Sequence, residues 1–214
     1  MHPRLAKKGL YAITDGPRID LLDAAEAALR GGAAMLQYRD KTGDAQRRLA
    51  EARALRDLCA RRQVPLIVND DVELARAACA AGVHLGEDDG DVAAARAELG
   101  ATAIIGVSCY DSLSRARDLA AAGADYLAFG AFHPSPTKPH ARHATPLLLT
   151  DARTFGVPLV AIGGITSDNA RPLIEAGADF VAVVSGVFAA RDVAAAAEKY
   201  AKLFDPQTSA DERR

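Results

Sequence analysis

Short apolar runs alternate with longer Ala-, Leu- and Arg-rich stretches along the whole chain. Apolar runs bounded by glycine or polar residues read as buried strands, whereas apolar residues recurring three and four apart read as helices. Strands are predicted at residues 10–14, 34–38, 65–69, 83–85, 104–108, 126–129, 159–162 and 180–184. Helical stretches include 21–30, 45–62, 113–121 and 168–176, with Asp20, Ser112 and Asp168 as N-caps. A punctuation recurs: Arg30-Gly31-Gly32-Ala33, Ala80-Ala81-Gly82-Val83, Ala121-Ala122-Gly123-Ala124 and Glu175-Ala176-Gly177-Ala178 each stand between a helix and a strand. A glycine there takes φ > 0 without steric cost, ends one helix and launches the next strand.

The repeating unit is therefore βα. About eight such units in roughly 200 residues favour a closed (β/α)8 TIM barrel over an open doubly wound sheet. Residues 1–204 are expected to form this single α/β domain and 205–214 a polar, frayed tail.

Composition narrows the class. Of 214 residues half are hydrophobic and a quarter charged, enough for one sizeable core. A formal net charge of −2 gives no general attraction to nucleic acid or an anionic membrane, so anion binding must rest on a few placed residues. No run of apolar residues is long enough to span a bilayer, and the basic start precedes too short an apolar run for a signal peptide. A cytoplasmic protein acting on small phosphorylated molecules is expected. Cys59, Cys79 and Cys109 are widely spaced, which reads as reduced, mostly buried thiols rather than disulfides or a zinc site. Ala-rich helix faces are compatible with a homo-oligomer and equally with packing on their own barrel.

The unusual polar residues fall at or just beyond the predicted strand ends, where a barrel carries its active site. Alternation puts Gln37, Arg39 and Lys41 on one face of the second strand, an amide and two cations suited to a phosphorylated ligand or, otherwise, a solvated strand end. The third and fourth strands end in Asn69-Asp70-Asp71 and Gly86-Glu87-Asp88-Asp89. Clustered carboxylates on neighbouring strands suit Mg2+, with Asp70 and Asp89 as ligands and Asp71 and Asp88 left to cap helices. Ser108 puts a hydroxyl at the rim of the fifth strand, or else serves a turn. The longest connection, residues 130–145, carries Ser135, Thr137 and Lys138 toward a second anion and reads as a lid. His140 and His143 in it lack a third partner and read as exposed loop residues. Gly163-Gly164 and Val184-Ser185-Gly186 follow the last two strands, where small residues let backbone N–H groups approach a phosphate.

Together these residues resemble the thiamine-phosphate synthase (pyrophosphorylase) family. The resemblance runs from Leu10 to Phe188, most specifically through Gln37-x-Arg39-x-Lys41, Val68-Asn69-Asp70, His84-Leu85-Gly86-x-x-Asp89, Gly106-Val107-Ser108, Pro134-Ser135-x-Thr137-Lys138 and Ala161-Ile162-Gly163-Gly164-Ile165. It implies condensation of 4-amino-5-hydroxymethyl-2-methylpyrimidine diphosphate with a thiazole phosphate, giving thiamine phosphate and pyrophosphate. It further implies that Gln37, Arg39, Lys41, Asn69, Ser108 and Lys138 hold the pyrimidine diphosphate. Asp70 and Asp89 would bind Mg2+, and Ser135, Thr137, Gly164, Val184 and Ser185 the thiazole phosphate. The implied chemistry is dissociative, with Arg39, Lys41 and Lys138 as the catalytic cations. Glu87 stands where many members carry glutamine, Ser135 replaces a threonine, and residues 140–145 match loosely. Two alternatives are a thiazole tautomerase and a non-catalytic metabolite-binding barrel. The first calls for a histidine shortly after the fifth strand, where Cys109 and Tyr110 stand; the second has no use for two carboxylates facing cations.

Overall fold

The computed structural model describes residues 2–134 and 143–205. Eight parallel strands close in chain order into a barrel: β1 (Gly9–Ile13), β2 (Met35–Tyr38), β3 (Leu66–Asn69), β4 (Gly82–Leu85), β5 (Ile104–Tyr110), β6 (Tyr126–Phe129), β7 (Leu159–Ile162) and β8 (Phe180–Val183). Pairing of β1 with β8 completes the ring, Tyr11 lying beside Ala182. The helices outside are α1 (Leu21–Arg30), α2 (Ala45–Arg61), α3 (Val72–Ala77), α4 (Val92–Leu99), α5 (Leu113–Ala121), α6 (Pro146–Ala152), α7 (Arg171–Ala176), α8 (Ser185–Phe188) and α9 (Val193–Ala201).

The period of two along each strand sorts its residues between two cores. Leu10, Ala12, Leu36, Val68 and Val181 face the helices in one buried layer, which continues around the ring. Tyr11, Ile13, Met35, Ile67, Ile104, Tyr126, Val160 and Phe180 fill the barrel itself, with Leu5 from a short 3-10 turn (Pro3–Leu5) packed among them. Fully burying such a side chain contributes roughly 1.5–3 kcal/mol, so the interior is a packed core rather than a pore.

Local details differ from the sequence expectation for identifiable reasons. Gly32, Gly123 and Gly177 take positive φ after their helices, but Gly82 does not. Cys79 makes that left-handed turn instead, at φ 52, and Gly82 is needed because a Cβ there would lie 1.8 Å from the Ile104 carbonyl oxygen. Ser112 caps α5 through the Arg115 N–H. Asp20 stands at the start of α1 without capping it, since both its oxygens are taken by Arg18. Asp168 is no cap: Thr166 and Asn169 bond each other's backbone N–H in a closed turn, and α7 starts only at Arg171. Asp71 caps α3, whereas α4 is capped by Asp91 rather than Asp88. Cys59 and Cys109 are buried, but Cys79 is exposed.

Candidate active site

The carboxyl end of β2 begins the site. Gln37 is buried inside the barrel, but the strand stops at Tyr38, so Arg39 and Lys41 stand on a loop rather than on the extended face that alternation predicts. Two devices hold that loop. The buried Thr14 hydroxyl accepts from the Arg39 N–H at 2.8 Å and donates to the Arg39 carbonyl at 3.1 Å. Asp40, its carboxylate wholly shielded, accepts from the Thr42 N–H at 2.8 Å and pairs with Arg47 at 2.7 Å. Arg47 also grips Glu51, which accepts from the Tyr38 hydroxyl at 2.6 Å. Burial alone would raise the Asp40 carboxyl, but Thr42 and Arg47 outweigh it and hold it below the usual carboxylate range. With its backbone pinned, Arg39 has no side-chain hydrogen bond or ion pair among the described residues and stands half-buried at the rim.

Lys41 reaches across to the next strand end, where its ammonium lies 3.0 Å from the Asp70 carboxylate. Asp70 sits in the left-handed region at φ 64, which turns the chain sharply from β3 into α3 and separates it from the capping Asp71. Asn69 donates to the same Asp70 oxygen at 2.5 Å. From the following strand end Asp89 approaches Asp70 to hydrogen-bonding distance, held by the Gly86 N–H at 2.8 Å. Two carboxylates in contact cannot both ionise freely. Burial and then the neighbouring Asp70 push the Asp89 carboxyl up; Asp70, despite burial, is drawn down by Lys41 and by Asp89 as its donor. These side chains line an open hollow of about 450 Å³.

That pair fits a hard divalent cation. Both partners offer oxygen only, they share a proton in its absence, and among the described residues no third His, Cys, Asp or Glu joins them. Mg2+ commonly takes one or two carboxylates and completes its shell with water and substrate phosphate.

Across the barrel lies a second polar feature, largely missed by sequence reasoning. Ser108 is inside β5, not in a turn, with its hydroxyl 2.9 Å from His84 Nε2. His84 Nδ1 lies 2.9 Å from the Tyr126 hydroxyl, which is 2.9 Å from the Tyr11 hydroxyl; Gln37 donates to Tyr11 at 2.6 Å. Burial raises both phenols well above their ordinary value, so they remain protonated. The available signal was tyrosine at inward positions of otherwise aliphatic strands.

At the other rim, Gly164 has φ 62 and a Cβ there would lie 2.5 Å from the Pro134 carbonyl oxygen. Gly163 accepts from the His133 N–H at 3.0 Å. The glycine pair therefore also admits the segment after β6, beyond any phosphate role. Val184 and Ser185 begin the single turn of α8 directly after β8. Ser135, Thr137, Lys138 and His140 lie outside the described residues, and His143 is exposed.

Comparison with known proteins finds relatives over nearly the whole chain. The thiamine-phosphate synthase of Azoarcus sp. is 58% identical over 200 residues, covering 92% of this chain and 97% of that protein. The Chromobacterium violaceum thiamine-phosphate synthase is 55% identical over 206 residues, covering 95% and 99%. Among solved structures, thiamine phosphate pyrophosphorylase from Pyrococcus furiosus superposes with a TM-score of 0.84 at 35% identity, covering 93% of this chain and 96% of that one. Residues 10–187 match the family profile described as thiamine monophosphate synthase, and the chain belongs to that family of transferases.

Proposed function

We propose that the barrel joins an aminopyrimidine-methyl diphosphate to a thiazole phosphate, forming thiamine phosphate and releasing pyrophosphate. The observation that carries this reading is the cluster of Lys41, Asp70 and Asp89 at adjoining strand ends, beside Arg39, whose side chain is unpaired among the described residues. Such a cluster suits a diphosphate leaving group, because anionic oxygens need both cations and a shared divalent ion. Bound between Asp70 and Asp89, Mg2+ would neutralise charge on the leaving diphosphate.

The chain's own residues then divide the work. Gln37 and Ser108 face the aminopyrimidine from opposite walls, and Asn69 orients Asp70. The bond between the pyrimidine methylene carbon and the diphosphate oxygen breaks, its electron pair leaving with the diphosphate. Arg39 and Lys41, joined by Lys138, stabilise that developing charge. The amino group spreads the positive charge left on the pyrimidine, and the thiazole nitrogen forms the new carbon–nitrogen bond. Positioning of the two substrates, rather than a protein nucleophile, supplies the rest. Gly164, Val184 and Ser185, with Ser135 and Thr137, receive the thiazole phosphate. Three free thiols are in keeping with action in the cytoplasm.

The decisive experiment supplies both substrates and Mg2+ to the purified protein and follows both products. Equal amounts of thiamine phosphate and pyrophosphate are expected; neither appearing from folded protein would sink the proposal.

A further inference from the structure

The groups inside the barrel form a continuous series of hydrogen bonds from one wall to the other: Gln37 on β2, Tyr11 on β1, Tyr126 on β6, His84 on β4 and Ser108 on β5. We propose that Tyr11, Tyr126 and His84 are positioning residues that form a polar relay, fixing His84 as its Nε2–H tautomer and turning the Ser108 hydroxyl proton toward the substrate.

The direction follows from donor counting. Gln37 presents its amide N–H to the Tyr11 oxygen. The Tyr11 hydroxyl has one proton and is buried, and its other polar neighbour among the described residues is the Tyr126 oxygen at 2.9 Å. Tyr126, equally buried, must pass its own proton on to His84 Nδ1. A neutral imidazole accepting at Nδ1 carries its hydrogen on Nε2, which donates to Ser108 Oγ. The serine proton is then left for a ligand. Reversing one link alone would leave one buried donor facing another and one acceptor unpaired, a costly arrangement in that setting. The series therefore has one polarity throughout, and Gln37, on β2 and 26 residues after Tyr11, sets it from the wall opposite Ser108.

The packing maintains this series. A Cβ on Gly106 would lie 1.8 Å from Tyr126 Cζ, so only glycine lets the Tyr126 ring cross the interior. The His84 ring stacks on that ring at 5.6 Å, and Tyr11 meets it edge-on at 5.9 Å. The order of these three rings is thus set by contact as well as by hydrogen bonds.

The inference rests on the proposed contact of Ser108 with substrate only for its kinetic consequence. Long-range proton–nitrogen correlation spectra of histidine-labelled protein, recorded at alkaline pH, read the His84 tautomer directly. The wild type is expected to show Nε2–H. Tyr126→Phe keeps the ring and removes only the hydroxyl that donates to His84 Nδ1, without touching Ser108. In this variant His84 should become a mixture of tautomers, and kcat should fall by about tenfold, the scale of one well-oriented hydrogen bond, with KM for the thiazole phosphate unchanged. An Nδ1–H tautomer in the wild type would falsify the relay. So would an unaltered tautomer in Tyr126→Phe, or an altered one with unaltered kcat. Should Tyr126→Phe not fold, the wild-type spectrum still decides; should the wild type make no thiamine phosphate, the functional reading fails while the tautomer remains measurable.

Discussion

The ring of Tyr126 occupies the space where any side chain on Gly106 would stand, a Cβ there falling 1.8 Å from Cζ. Both residues point into the barrel from neighbouring strands, and β5 and β6 are in register at this level. Gly106→Ala must therefore expel the ring or spread the strands. Overpacking of this kind costs about 1–3 kcal/mol or more, and urea denaturation should register it. Because the clash is shared by two residues, Gly106→Ala combined with Tyr126→Val should lose less than the sum of the single losses. Strict additivity would show that the ring is not the obstacle.

The Lys41–Asp70 pair makes a contrasting case. The Lys41 side chain is 62% exposed, so the pair contributes at most about 1 kcal/mol to folding. Lys41→Ala is expected to leave the melting temperature within a few degrees and to lower turnover sharply, since the same cation faces the leaving group. An unchanged kcat would remove Lys41 from the reaction.

Asp70 and Asp89 should separate stability from metal binding in another way. Burial and the neighbouring Asp70 disfavour the ionised form of Asp89, so Asp89→Asn relieves a repulsion while its amide oxygen can still accept from Gly86. The variant without metal should melt no lower than wild type. Its melting temperature should also rise less when Mg2+ is added, because a ligand binding only the native state stabilises in proportion to its affinity. Asp70→Asn should likewise blunt the Mg2+ response. Wild-type shifts in both variants would rule the pair out as ligands.

Periodicity located all eight strands to within two residues at every boundary, because each is a short apolar run ended by glycine or a polar residue. Gln37, Asn69, Asp70, Asp89 and Ser108 were legible as candidates because they are polar residues at or just beyond the predicted strand ends. The relay was not legible as such. Tyr11 and Tyr126 look like ordinary apolar core in sequence, and their hydroxyls gain meaning only when β1 and β6 face each other across the barrel. Capping at Asp20 and Asp168 went differently because competing partners, Arg18 and the Thr166–Asn169 turn, are themselves local but indistinguishable by pattern. Gly82 and Gly106 show the same limit: their lack of a side chain answers to Ile104 and Tyr126, residues that are about twenty positions away.

Thiol reactivity should divide two to one. Burial pushes the Cys59 and Cys109 thiols up to about 12, leaving almost no thiolate at neutral pH, whereas Cys79 is exposed. A thiol reagent added to native protein should label Cys79 quickly, and the other two only after unfolding. Rapid native labelling of Cys109 would mean that β5 opens more readily than its packing implies.

Acid should loosen the loop that carries Arg39 and Lys41. The Asp40 carboxyl titrates below its unfolded counterpart because the Thr42 N–H and Arg47 outweigh its burial. An acid with a depressed native pKa stabilises the fold fully above the unfolded value, and that contribution is lost as pH falls through the native one. At neutral pH, Asp40→Asn should therefore cost about 1–2 kcal/mol, the range for hydrogen bonds to a charged group after allowing for screening at a rim where Arg47 is partly exposed. In strong acid the gap between variant and wild type should close. A gap that persisted below the native pKa would assign the loss to the shape of the side chain. The same variant frees Arg47 from one of its anchors while Glu51 keeps the other, so the loop should loosen rather than unfold. Turnover in Asp40→Asn should accordingly fall further than stability does, since a small displacement of Arg39 weakens its hold on the leaving group steeply.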